Sequence, residues 1–130
     1  MAVLTCEEKQ SMDQACQKML HYPGIRFVGV INQMGNLVAG GFKYGVKPLT
    51  DDESRRILFM QLVLEVNMRH ELDDVLGPVK YIEAKRGKVR KITIPLNKRI
   101  LVISAELNTE GEEITKTANE IFQGYLDLNA

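Results

Sequence analysis

A chain of 130 residues, 45% hydrophobic and 26% charged, has the length and composition of one domain around one core, which excludes wholesale disorder and fibrous repeats. Its 17 basic residues balance 17 acidic ones, so no overall field draws it to nucleic acid or to an anionic membrane. The balance is local only in part, because eight basic residues and a single acid, Glu83, lie between Lys80 and Arg99.

In chain order, Thr5 with Glu8 three residues on is a capping box that opens a helix, and Met12, Ala15, Cys16, Met19 and Leu20 give it one apolar face. Tyr22-Pro23-Gly24 stops it. Cys6 and Cys16 stand about 15 Å apart along that helix and cannot bridge each other, so both are expected as free thiols. Free thiols fit a reducing compartment, and no apolar run approaches the roughly 20 residues of a membrane span, so a cytoplasmic protein is expected. Ile25 to Ile31 and Leu37 to Phe42 then read as two strands joined by a turn at Asn32 to Asn36. The paired glycines Gly40 and Gly41 mark a bulge or a close approach of another element.

A second helix is expected from Asp51 to about Leu72, after a capping-box start at Thr50-Asp51-Asp52-Glu53 and before Gly77-Pro78. It is apolar on two sides. Ile57, Met60, Leu64 and Met68 fall on one face, and Phe59, Leu62, Val63 and Val66 on the other. One face can lie on a sheet; the other needs either a second copy of the chain or cover from within the subunit, by the 43–49 loop or a terminal helix. Three strands follow, Val79 to Glu83, Val89 to Ile94 ending at Pro95, and Ile100 to Ala105, the most hydrophobic and so the most central. A last helix opens at Thr109 with Glu112 as its capping partner and carries the stripe Ile114, Ala118, Ile121, Phe122 and Tyr125. The chain therefore reads as a single α+β domain over 1–130, a five-stranded antiparallel sheet with helices on both faces in the order α-β-β-α-β-β-β-α.

Chemistry is sparse. His21 and His70 stand in no metal or triad spacing, and His70 with Asp73 and Asp74 reads as a solvated helix end rather than a metal site. The glycines match no phosphate-binding or dinucleotide fingerprint, so neither a cofactor, a metal nor an enzymatic activity is expected. Lys85, Arg86, Lys88, Arg90 and Lys91 cluster about a hairpin turn, where they suit an acidic protein partner. With only Tyr81 near for stacking, specific nucleic-acid binding is not expected, and lysines on a sheet edge also serve simply to discourage aggregation.

The element order resembles the roadblock, or dynein light chain, superfamily, itself close to profilin-like and longin-like folds. Phe27-Val28-Gly29-Val30-Ile31-Asn32, Met34-Gly35 and Leu37-Val38-Ala39-Gly40-Gly41 are similar to a group of small uncharacterised archaeal proteins of that type. The resemblance implies a noncatalytic homodimer acting as a scaffold or as a regulator, with a small GTPase as one class of partner. It implies antiparallel pairing of the central helices, through residues drawn from Ile57, Phe59, Met60, Leu62, Val63, Leu64 and Val66, and edge-to-edge pairing of the third strands at Val79 and Tyr81. The second expectation from this fold group is a small-molecule sensor with its ligand between a helix and the sheet.

Overall fold

Thr5 starts the first helix, α1 (Cys6–Leu20), by accepting a hydrogen bond from the Glu8 amide at 3.1 Å. The structure, a computed structural model, describes residues 4–125. β1 (Ile25–Ile31) and β2 (Leu37–Phe42) form a hairpin whose turn is held by the Asn32 side chain, which accepts from the Met34 and Asn36 amides. Asp51 caps α2 (Asp52–Arg69) by accepting from the Ser54 amide at 2.7 Å. A 3₁₀ turn (His70–Leu72) and a short helix, α3 (Asp73–Leu76), then lead to β3 (Ile82–Lys85), β4 (Arg90–Leu96), β5 (Arg99–Ala105) and α4 (Gly111–Ile121).

The strands make one antiparallel sheet in the order β2-β1-β5-β4-β3, with β5, the most hydrophobic, at its centre. α1 and α4 cover one face through Met12, Cys16, Met19, Ile114 and Ala118, with Phe122 just past the end of α4. α2 covers the other, laying Phe59, Val63 and Val66 on Phe27, Ile31, Ile100 and Val102. The α+β architecture is the expected one, a five-stranded antiparallel sheet with helices on both faces.

Several boundaries differ from the sequence reading, among them the cap of α2, which is Asp51 and not Thr50. The second helix breaks at Arg69, because Asp73 and Asp74 disfavour a helix C-terminus but suit the start of the new turn of helix, where His70 Nδ1 meets the Asp73 carboxylate at 2.7 Å. β3 begins at Ile82, not Val79. β4 continues through Pro95 to Leu96, since β3 pairs only as far as Thr93 and the proline lies where one side of the strand is an open edge. Thr109 does not cap α4: its hydroxyl donates to the Glu106 carbonyl at 2.6 Å, its methyl lies against Gly24, and Glu110 occupies the cap position without a side-chain bond.

The glycine pair has one strict position and one free one. Gly40 has φ +87°, its amide donates to Asp13 of α1 at 2.8 Å, and a Cβ there would come 2.1 Å from the Val28 carbonyl oxygen and 2.9 Å from Cys16 Sγ. A Cβ at Gly41 would meet nothing within 4 Å. Gly40→Ala is therefore expected to lower stability by roughly 2–4 kcal/mol in urea unfolding, through a left-handed backbone and a clash that α1 cannot relieve. Gly41→Ala should change it by less than about 1 kcal/mol.

Candidate functional site

The outer side of α2 is an uncovered apolar stripe. Ile57 is 54% exposed, Leu64 57% and Met68 70%, while Met60, tucked against Gly35 of the hairpin turn, is 37% exposed. The stripe runs on through exposed Leu72, Val75 and Leu76. α4 lies on the far face of the sheet, and Leu49 of the 43–49 loop reaches only the Ile57 end of the helix. Of the residues expected at an interface, Phe59, Val63 and Val66 are buried on the sheet and unavailable to a partner, and Leu62 packs partly against the same core. Val79 and Tyr81 lie ahead of β3, so the open edge of the sheet is the Ile82–Lys85 strand instead.

The basic segment is not one patch, because successive strand residues point to opposite faces of the sheet. Lys85, Arg86 and Lys88 are exposed at and beside the β3–β4 turn. Arg90 points to the α1–α4 face, where it is buried, donates to the Glu83 carboxylate and reaches the Leu107 carbonyl at 3.5 Å. It is a structural cation. Lys91 points the other way, half-buried beneath α2. Removing the counterion of a buried guanidinium leaves an unpaired charge, so Glu83→Ala is expected to cost about 2–3 kcal/mol in chemical unfolding, the partial exposure of Glu83 reducing the usual penalty. Lys85→Ala should change stability by less than about 0.5 kcal/mol.

Beneath the N-terminal half of α2 the helix stands off the sheet and leaves a cavity of about 420 Å³. Phe42, Leu49, Leu58 and Val89 give it apolar walls; Thr50, Ser54, Gln61 and Ser104 add polar groups; Arg26, Arg86, Lys88 and Lys91 bring cations. Arg26 arrives by a β-bulge, for the register against β5 slips between Ile25 and Phe27. Its guanidinium donates to Glu106 and to the Lys47 carbonyl, each at 2.9 Å. Arg55 sits 5.0 Å above the Phe42 ring and donates to Asp52 and to the Thr50 carbonyl. Burial, together with repulsion from Arg26, Arg55 and Arg86, holds the Lys91 ammonium below the usual lysine range. From the sequence alone Lys91 reads as a surface residue, and Arg26 is not singled out; its signal is an arginine set in an otherwise apolar strand.

Among the described residues, no three His, Cys, Asp or Glu side chains are grouped to hold a metal ion, and no helix is long and apolar enough to cross a membrane. Both cysteines are free. Cys16 is buried, and its thiol is pushed up to about 12 by desolvation and by the Asp13 carboxylate. Mildly alkaline iodoacetamide is accordingly expected to alkylate exposed Cys6 in the native protein and to reach Cys16 only after denaturation, as read by intact mass.

An antiparallel five-stranded sheet with α2 on one face and the two terminal helices on the other is the roadblock/LC7 fold. The gliding protein MglB from Thermus thermophilus is similar at 12% identity, with a TM-score of 0.69 over 94% of this chain and 96% of that one. MglB from Myxococcus xanthus gives 13% identity and 0.65 over 99% and 100%. A roadblock/LC7 domain from Streptomyces avermitilis gives 8% and 0.63 over 89% and 92%. No curated protein matches the chain. By sequence the chain belongs to a family of unknown function, DUF6659, whose profile matches residues 6–124.

Proposed function

We propose that this chain is a noncatalytic, cytoplasmic roadblock-type domain that pairs with a second copy of itself and serves as a scaffold or regulator, with a small GTPase as the class of partner. The observation that carries the reading is the exposed stripe of Ile57, Met60, Leu64 and Met68 on a helix whose opposite side is already occupied by the sheet. A run of large apolar side chains left in water at helical spacing marks an interface. Drying the exposed half or more of Ile57, Leu64 and Met68 contributes on the order of 1 kcal/mol per side chain in each copy. β3 is an open edge of the sheet and suits strand-to-strand pairing. Lys85, Arg86 and Lys88, free of ion pairs among the described residues, are the surface offered to an acidic partner.

Leu64→Glu is expected to halve the mass found by sedimentation at micromolar concentration while leaving the circular dichroism unchanged, because Leu64 belongs to neither core cluster. A parent chain that sediments as a monomer, or a Leu64→Glu variant that keeps the parent's mass, would refute the pairing. Val63→Glu, by contrast, should unfold the domain, since it buries a carboxylate in the α2–sheet seam.

The cavity under α2 supports a second reading, a module that holds a small molecule between helix and sheet. Its volume lies within the usual range for such sites, and polar groups converge on apolar walls.

A further inference from the structure

The composition of the cavity wall says more than its size. Among the residues lining it there are four cations and no carboxylate. Arg26 has a partner in Glu106, at the flank of the cavity, but Arg86, Lys88 and Lys91 form no ion pair among the described residues. Lys91 is the informative one. A strand buried between two helical layers ordinarily keeps cations out of such a position, and its neighbours on the same face, Thr93, Val102 and Ser104, are uncharged and buried. A lysine there, close to three arginines and partly out of water, is a local cost that folding alone does not require.

We propose that this cavity is a site for a small organic anion, with a phosphate or carboxylate head among Lys91, Arg86 and Lys88 and an apolar body against Phe42, Leu49 and Leu58. The proposal rests on the ligand-holding reading above and names its chemistry. The head group supplies the missing counter-charge, with the Ser104 and Ser54 hydroxyls beside it as further donors. A bare inorganic anion would occupy only a corner and leave the aliphatic wall wet. An acidic protein surface meets the exposed Lys85, Arg86 and Lys88 but cannot follow Lys91 beneath α2. The Arg26 bulge fits the same purpose, because an unbroken β1 would alternate strictly and could not turn both Arg26 and Phe27 to this face.

The test is calorimetric titration of the full chain at physiological salt with naphthyl phosphate, naphthoate, neutral naphthol and inorganic phosphate. One of the two aromatic anions, whichever head the site prefers, should bind once per chain, with naphthol and inorganic phosphate each at least about tenfold weaker. Lys91→Met, which keeps the aliphatic stem, should weaken the preferred anion about tenfold and should raise Tm in the absence of ligand. Arg86→Ala combined with Lys88→Ala, at an exposed turn, should weaken it without altering the circular dichroism. Naphthol binding as tightly as the anions would overturn the anion assignment while leaving a ligand site; no binding by any of the four would overturn both. Unchanged anion binding by folded Lys91→Met would place the head group elsewhere and sink the proposal.

Discussion

Phe59, Val63 and Val66 lie on Phe27, Ile31, Ile100 and Val102, and this seam sets the rotation of α2 about its axis. Burying each of the three is worth roughly 1.5–3 kcal/mol, comparable in total with the net stability of a small domain, and the fit to these four strand residues selects this face over the equally apolar outer one. At 3.6 residues per turn, the same rotation turns Ile57, Leu64 and Met68 outward. Their exposure follows from the seam and not from any loose packing of the subunit.

The seam also explains where α2 leaves the sheet. Its first turns are Asp52-Glu53-Ser54-Arg55-Arg56, which have no apolar group to lay on the strands. Arg55 instead rests on the Phe42 ring and ties the helix start to the Thr50 carbonyl. The helix end is thus propped above the strands rather than packed on them. Into the gap come groups that a tight layer would reject: the Lys91 side chain from β4, Ser104 from β5, and Arg26 from the bulge in β1. On the opposite face, where α1 and α4 fit closely, the buried guanidinium of Arg90 is held by Glu83.

Much of this was legible from periodicity. The division of the second helix into an Ile57-Met60-Leu64-Met68 face and a Phe59-Leu62-Val63-Val66 face follows from spacing alone, as does the central position of the most hydrophobic strand. The choice between those faces did not follow, because both are apolar and only the facing strands decide. The basic segment was misread as one surface for a reason the residues already contained: Arg90 and Lys91 are neighbours in a strand and must diverge. The pairing of Arg90 with Glu83 depends on the β3–β4 register, and the aim of Arg26 on a one-residue bulge, neither of which leaves a mark in composition. Thr109 had the right spacing for a cap but serves a tighter local contact with the Glu106 carbonyl.

Ile57 belongs to both proposed surfaces, at once the first residue of the exposed stripe and part of the cavity wall. In an antiparallel pairing of two α2 helices, the Ile57 end of one meets the Met68 end of the other, so each cavity would open beside its partner's helix. A ligand whose apolar body rests on Leu49 and Leu58 would then change the shape presented at that end of the stripe. Any preference it had for the paired or the separate form would shift self-association by the same factor by which pairing shifts its own affinity. Coupling of that kind needs no hinge and no moving domain. It needs only that one helix be packed at its middle, bare along its outer side and raised at its start, as α2 is.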